Sequence, residues 1–214
     1  AYALRMAEKL EIGNVRFLQA DVLDAGKIDG RFNMIQSVGV LHHLTEPLQG
    51  WRVLTGLLKP SGVFKLGLYS RRGRKGITEC RDLIAREGIE ATPLAIARFR
   101  RRLIEGEGEG EFQSILEGIF ETGDFYTTSM CRDLLFHVQE HNFSPSDIKG
   151  HVRELGLEFI GFEGFEDAGI NAAYREAYPD DPEMTDLDNW EAFEEASGEL
   201  TDMYLFWCLK PEGA

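Results

Sequence analysis

The chain has 214 residues, of which 43% are hydrophobic and 11% aromatic, so it can bury a sizeable core as one domain with an insertion or a small cap. Its formal net charge of -14 argues against nucleic acid and anionic membranes as partners, because both need clustered basic side chains. A small molecule or a protein is the more compatible substrate.

Cysteine usage and hydropathy bear on the compartment. Cys80, Cys131 and Cys208 are far apart, odd in number and in no spacing typical of a metal site, which predicts free thiols in a reducing environment. No apolar run approaches the ~20 residues that span a bilayer. Because no targeting segment is visible either, the sequence predicts a soluble, cytoplasmic protein without membrane contact.

The first 70 residues alternate between helical and strand-like patterns. The segment over 32–38 is mostly apolar, with Gln36 and Ser37 as polar exceptions, and this pattern suits a buried parallel strand. Such alternation predicts right-handed crossovers and a parallel sheet covered by helices on both faces. In chain order, the predicted elements are a helix over 2–11, a strand over 15–20, a polar turn or short helix over 24–31, a strand over 32–38, a helix over 46–58, a tight turn over 59–62 and a strand over 63–69.

The pattern changes after residue 70. Residues 71–140 read as helical, and we interpret 71–143 as an insertion or cap. Ser144 to Asp147 has the composition of a helix start, and the predicted helix runs to Glu154. Strands are predicted over 157–162 and 203–209, with an acidic, aromatic-anchored stretch between them. We therefore expect an α/β core built from 1–70 and 144–214.

Polar and small residues follow the ends of two predicted strands, at the same edge of the predicted sheet. Asp21 and Val22 end the first strand-like segment, and the sequence 37–43 (Ser-Val-Gly-Val-Leu-His-His) ends the second. With the final strand, these segments resemble the second half of a class I S-adenosylmethionine-dependent methyltransferase. The resemblance implies a Rossmann-like sheet, mostly parallel, with an antiparallel last strand and a helical insertion.

The resemblance also implies a cofactor site for S-adenosylmethionine. Asp21 would accept a hydrogen bond from the adenine amino group, and the backbone of Val22 would meet a ring nitrogen. Ser37, Val38 and Gly39 would contact the cofactor, with Gly39 allowing close approach. The alternative for Asp21 is that its carboxylate caps the turn that follows it.

Candidate catalytic and substrate-binding residues follow the next two strand ends. His42 or His43 is a candidate general base for the acceptor, since imidazole titrates near neutral pH. The alternative is that one histidine packs under the sheet and the other caps the next helix. Tyr69 and Arg71 are candidate substrate contacts, although the basic run 71–75 is equally interpreted as pairing with acidic stretches.

A third group of polar residues lies in the predicted cap. His137, Glu140 and His141 are spaced for one face of a helix. Such a face suggests either a wall of the substrate entrance, a solvated surface or, as a weaker idea, the metal site of a hydrolase. With no further ligand nearby in sequence, no metal site is predicted.

The family's first two strands and its glycine-rich cofactor loop have no counterpart in this sequence, so we expect weakened cofactor affinity. The strand over 15–20 would then pair directly with the strand over 32–38, leave the sheet, or meet a second copy in a homodimer. Direct pairing or a dimer is the expectation. Two functions follow: a methyltransferase of unknown small-molecule or protein acceptor, or a catalytically inactive methyltransferase-like fragment that self-associates.

Overall fold

The structure is a computed structural model, and it describes residues 2–106, 119–120, 123–137, 139–165, 169–198 and 200–213. Among these residues the helices are α1 (Tyr2–Lys9), α2 (Pro47–Leu57), α3 (Lys75–Glu87), α4 (Pro93–Ile104), α5 (Thr128–Phe136), α6 (Pro145–Glu154), α7 (Ile170–Ala177) and α8 (Leu187–Ser197). The strands are β1 (Phe32–Val38), β2 (Leu58–Tyr69), β3 (Glu158–Glu163) and β4 (Met203–Leu209). The protein is therefore a mixed α/β fold, as predicted.

The four described strands form one sheet in the order β1-β2-β4-β3. β1 and β2 are parallel, and β4 runs antiparallel to both of its neighbours, β2 and β3. This arrangement confirms the predicted antiparallel last strand. Because β1 and β2 are parallel, their carboxyl ends lie at the same edge of the sheet, which is where open α/β sheets bind ligands.

The strand predicted over 15–20 is wrong, because these residues have no regular secondary structure and their side chains are exposed. Val15, Phe17 and Leu18 are 47%, 45% and 64% exposed. Within the described residues β1 pairs only with β2, so direct pairing of 15–20 with β1 is also wrong. An extended apolar segment becomes a strand only when a neighbour accepts its hydrogen bonds, and here β1 does not.

β2 begins earlier than predicted. The segment predicted as a tight turn over 59–62 is already part of the strand, which runs opposite Phe32 at Leu58 and opposite Met34 at Val63. The extra residues between these pairs form an irregularity with Ser61 at a φ of 58°. The turn residues therefore produce a bulge at the start of the strand, and the register beyond Val63 is regular.

Buried side chains fall into two clusters. The sheet core packs α2, α6 and α8 against the strands, and the helical core joins α3, α4 and α5. The largest members of the sheet core are Trp51, Phe64, Tyr174, Trp190, Tyr204 and Phe206. The helical core contains Ile77, Cys80, Leu83, Ile84, Ile96, Phe99, Leu103, Ile119, Phe125, Cys131, Leu134 and Leu135.

Two predicted features of the remaining chain are present. Ser144 and Asp147 form a reciprocal capping box at the start of α6. All three cysteines are free and buried. No helix of the described residues is long and apolar enough to cross a membrane.

The predicted helical face at 137–141 is wrong. α5 ends at Phe136, and His137, the residue at its C-terminal cap, is already extended, with a φ of -65° and a ψ of 138°. His137, Glu140 and His141 therefore do not share the face of a helix. Within the described residues, no group of three or more histidine, cysteine or acidic side chains is arranged to hold a metal ion.

Candidate active site

The carboxyl ends of β1 and β2 meet at a pair of glycines. Gly39 follows β1 with a φ of 73°, in the left-handed region that favours glycine, and its amide donates to the carbonyl of Gly67 at 3.2 Å. A Cβ at Gly67 would lie 2.7 Å from Val38 Cγ1 and 3.1 Å from its Cα. At Gly67 the two strand ends are thus closer together than a side chain would allow, whereas at Gly39 glycine is favoured by the φ alone.

Asp21 is exposed at this end of the molecule and caps the short 3-10 turn Val22–Lys27. Its Oδ1 accepts a hydrogen bond from the amide of Leu23 at 2.9 Å. This is the capping role offered above as the alternative to adenine binding. A carboxylate has a second oxygen, so the cap leaves Oδ2 able to accept a further hydrogen bond. Val22 is partly buried and packs against the sheet core.

His42 is fully buried, with no exposed surface. Its ring stacks on Tyr69 with centroids 3.9 Å apart, and neither ring nitrogen has a hydrogen-bond partner among the described residues. Burial, reinforced by the nearby positive charges, lowers the pKa of His42 to about 3. At neutral pH this side chain is therefore an uncharged packing group, as in the structural alternative considered from the sequence.

His43 is only partly buried and has a defined orientation. Its Nδ1 lies 3.2 Å from the carbonyl oxygen of Gln139. Since a carbonyl only accepts, a neutral His43 that makes this bond carries its proton on Nδ1 and leaves Nε2 as a base. The ring of His137 stands 4.3 Å from that of His43, and its Nδ1 lies 2.8 Å from the same carbonyl.

Tyr69 lies between the histidines and a buried cluster of charges. The guanidinium of Arg74 stands 3.9 Å above its ring, a cation-π contact, and burial raises the pKa of the phenol. Arg74 is almost fully buried and makes a two-pronged ion pair with Glu140, with Nε–Oε1 at 3.2 Å and Nη2–Oε2 at 3.0 Å.

Glu140 also pairs with a second arginine. Arg81 Nη1 lies 3.3 Å from Glu140 Oε2, so one buried carboxylate, 2% exposed, joins two guanidinium groups. Arg81 Nε and Nη2 have no hydrogen-bond partner within the described part of the chain. Burial lowers the pKa of Arg81, an effect that Glu140 opposes.

The segment that carries Glu140 closes over the strand ends. His141 donates its amide to the carbonyl of His42 at 2.9 Å, and Phe143 donates to the carbonyl of Tyr69 at 2.8 Å. Phe143 also forms a parallel bridge with Ser70. The chain after α5 therefore lies along the edge of the sheet and brings residues from the predicted cap to the site.

Arg71 forms an ion pair with an acidic residue of the protein, which is the alternative to substrate binding considered from the sequence. Its guanidinium pairs with Asp147 at 2.6 Å, with more than half of the arginine side chain exposed. Arg72, Arg74 and Lys75 also have acidic partners, so the basic run 71–75 pairs within the protein. Of the two predicted substrate contacts, the structure places Tyr69 in the cluster and Arg71 outside it.

The sequence predictions missed the roles of Arg74 and Arg81. Arg74 stood in a basic run expected to pair with some acidic stretch, but that pattern did not identify Glu140 as the partner. Arg81 lies on α3, within the stretch 71–140 that the sequence predicted only as helical. What distinguishes Arg74 and Arg81 is that their charged side chains are buried. Their burial depends on how α3 packs against the segment after α5, which the local sequence does not reveal.

Comparison with known proteins fits this geometry. Residues 1–66 match a family model described as a methyltransferase domain, and this segment contains Asp21, Ser37–Gly39 and both histidines. Over this segment the chain is similar to methyltransferase domains. An uncharacterized protein of Synechococcus is 28% identical over 160 residues, which is 69% of this chain and 36% of that protein.

Solved structures support the same methyltransferase fold. PKMT2 from Rickettsia typhi superposes with a TM-score of 0.70 at 13% identity, covering 96% of this chain and 40% of that one. Its complex with AdoHcy gives 0.69 at 14% identity, covering 99% and 41%. At these identities the likeness shows the fold alone. The chain spans about two-fifths or less of the length of these proteins.

Proposed function

We propose that this chain carries the second half of the core of an S-adenosylmethionine-dependent methyltransferase, with its reaction centre at the carboxyl ends of β1 and β2. The observation that carries the proposal is the methyltransferase-domain match over residues 1–66, the segment that supplies this end of the sheet. PKMT2, a protein of similar fold, has been solved in complex with AdoHcy, which is what S-adenosylmethionine becomes after it gives up its methyl group. S-adenosylmethionine is accordingly the proposed cofactor.

In the proposed site, Asp21 Oδ2 accepts from the adenine amino group, and the amide of Val22 donates to the ring. Ser37, Val38 and Gly39 hold the methionine portion by their backbone. Gly39 suits this backbone contact for two reasons. It has no side chain, and it adopts a φ of 73° that other residues reach only with strain. Tyr69, whose ring contacts both His42 and Arg74, lies at the carboxyl end of β2 and is the proposed contact for the acceptor.

We assign the general base to His43 rather than to His42. A base must reach the acceptor proton and hold a free lone pair at the working pH. His43 is partly exposed, and its Nδ1 contact with Gln139 leaves Nε2 available. His42 is fully buried, and its pKa of about 3 makes it a weak base. S-adenosylmethionine would supply a methyl group to the oxygen or nitrogen of the acceptor and leave as S-adenosylhomocysteine. His43 Nε2 would take the proton that the acceptor hydroxyl or amine loses.

Calorimetric titration with S-adenosylhomocysteine tests the cofactor site. The unmodified chain is expected to bind, and Asp21→Asn is expected to weaken binding by about tenfold to a hundredfold, the value of one hydrogen bond to a charged group. The matched control is Asp29→Asn, an exposed aspartate in the same region that is assigned no role. Equal loss in both variants, or no binding by the unmodified chain, would contradict the assignment.

A non-catalytic, self-associating protein is the second candidate. It is supported by the edge of β1 that pairs with no described strand and by exposed apolar side chains, Phe32 and Met34 on β1 and Phe17 and Leu18 earlier in the chain. A second copy that pairs with β1 would satisfy this edge. Sedimentation velocity of the unmodified chain and of Met34→Lys tests the idea. A monomer in both would exclude self-association, and a dimer that Met34→Lys dissociates would support it.

A further inference from the structure

A cavity of about 590 Å³ opens between α3 and the chain that follows α5. Its apolar wall includes Ile84, Leu135 and Phe136, and its polar wall includes Arg81 and Gln139. Such a combination, an apolar body with a few convergent polar groups, is what small-molecule pockets have in common.

Arg81 gives this cavity its chemical preference. Of its guanidinium nitrogens, Nη1 faces Glu140, whereas Nε and Nη2 have no partner within the described residues. These two nitrogens form one side of the planar fork that binds a carboxylate through parallel hydrogen bonds. A buried donor without an acceptor is costly, so the fork favours any ligand that supplies two oxygens. The Arg81 side chain is 18% exposed and forms part of the cavity wall, but Nε and Nη2 themselves are buried. Binding at the fork therefore requires the Arg81 side chain to turn these two nitrogens into the cavity.

The charges around the cavity favour a carboxylate over a phosphate. The carboxylates of Asp82 and Glu140 also line it, and Asp133 and Tyr69 are close enough to act on Arg81. Arg74 neutralises Glu140 from the other side. A single negative charge can be balanced by the open fork, whereas a dianion would also face the two carboxylates.

The cavity adjoins the proposed base. Gln139 lines it and accepts from His43 Nδ1 through its carbonyl oxygen. His137, another wall residue, has its ring 4.3 Å from that of His43. Through Gln139 and His137, the cavity wall therefore contacts the Nδ1 side of the His43 ring.

We propose that this cavity is the acceptor pocket and that the acceptor is a small molecule with a carboxylate and an apolar body, anchored by the Nε/Nη2 side of Arg81. The proposal rests on the proposed methyltransferase function for the identity of the bound molecule as acceptor. The carboxylate preference itself rests only on the cavity and on Arg81.

Side-chain NMR of the full chain tests the preference with benzoate as the probe. Benzoate is expected to shift the Arg81 Nε–Hε resonance, and benzamide, with the same shape and no charge, is expected to bind at least tenfold more weakly. Equal binding of the two would overturn the proposal. Inorganic phosphate that binds as well as benzoate would also overturn it, because the site would then select charge rather than a carboxylate on an apolar body.

The matched variants are Arg81→Lys and Arg98→Lys. Lysine keeps the charge but loses the fork, so Arg81→Lys is expected to weaken benzoate binding at least tenfold, while the exposed Arg98 on α4 is expected to have no effect. Unchanged binding in Arg81→Lys would overturn the proposal. If that variant fails to fold, the comparison of benzoate with benzamide in the unmodified chain decides.

Titration of the same samples with S-adenosylhomocysteine separates the two proposals. Benzoate binding without cofactor binding would leave the carboxylate pocket standing and remove the methyltransferase proposal. Cofactor binding without discrimination between benzoate and benzamide would leave the methyltransferase proposal standing and overturn the pocket.

Discussion

Replacing Glu140 by glutamine should destabilise the protein far more than replacing an exposed glutamate. Glu140 is 2% exposed and pairs with Arg74, 7% exposed, and with Arg81, 18% exposed. Removing one member of a buried ion pair leaves the other charges buried without compensation, which typically costs about 3–5 kcal/mol. Glutamine keeps the shape and one acceptor oxygen, so we expect a loss of about 3 kcal/mol in the free energy of unfolding.

Urea denaturation gives the measurement, followed by far-UV circular dichroism and by tryptophan fluorescence. The three tryptophans lie in α2, α8 and β4, so fluorescence reports the sheet core, while circular dichroism also reports α3, α4 and α5. Because Glu140 links α3 to the edge of the sheet, the midpoint by circular dichroism is expected to fall by at least as much as the midpoint by fluorescence.

The control is Glu79→Gln. Glu79 pairs with Lys75 at 3.9 Å on the surface of α3, and exposed pairs of this kind contribute about 0–0.5 kcal/mol. A double-mutant cycle of Glu140→Gln with Arg81→Gln should give a coupling energy of about 1–3 kcal/mol. If Glu140→Gln costs less than about 1 kcal/mol, or no more than Glu79→Gln, the reasoning about the buried cluster is refuted.

Three further predictions concern residues around the site. His42 has a folded pKa of about 3 against an unfolded value of about 6.5, so the unfolded chain binds a proton that the folded chain does not, and the free energy of unfolding should fall by about 2 kcal/mol from pH 7 to pH 5. In urea titrations His42→Phe should flatten this pH dependence, and an unchanged slope would contradict the prediction. Gly67→Ala should cost about 1–3 kcal/mol by the clash with Val38, whereas Gly56→Ala, with open space on α2, should stabilise by about 0.5–1 kcal/mol, and thermal melts that rank the two in reverse would refute the packing argument. Ser144→Ala should cost about 1 kcal/mol through the capping box of α6, and no change in the denaturation midpoint would contradict that role.

Elements whose signals are local were predicted from the sequence with their bounds nearly intact. β1 carries Phe, Met, Ile and Val between short polar interruptions, β4 combines aromatic and branched side chains, and α6 starts at a serine that caps it. Each of these signals depends on residues next to one another in the chain, so it survives without knowledge of the tertiary structure.

Features that depend on distant neighbours were not predictable in the same way. Residues 15–20 have the pattern of a strand, but no described strand offers them hydrogen bonds. The spacing of His137, Glu140 and His141 fits a helix, but α5 ends first, and the chain instead bonds to the carbonyls of His42 and Tyr69.

The residues of the candidate site also fall into those with a local sequence signal and those that depend on distant neighbours. The glycine and the histidines after β1 were found because they follow a strand that the sequence marks clearly. The pairing of Arg74 and Arg81 with Glu140 joins residues 66 and 59 positions apart, counted from their residue numbers, and nothing local marks these charges as buried. The roles of Asp21, Val22, Ser37–Gly39 and Tyr69 in binding remain proposals.

The most direct test of the cofactor site is a backbone NMR titration of the ¹⁵N-labelled chain with S-adenosylhomocysteine. The proposed site predicts that the amides of Val22 and Gly39 shift together along one saturable curve, while amides of the helical core, such as that of Phe99, do not move. Saturable shifts confined to other parts of the chain, or no shifts at millimolar ligand, would contradict a cofactor site at the carboxyl ends of β1 and β2.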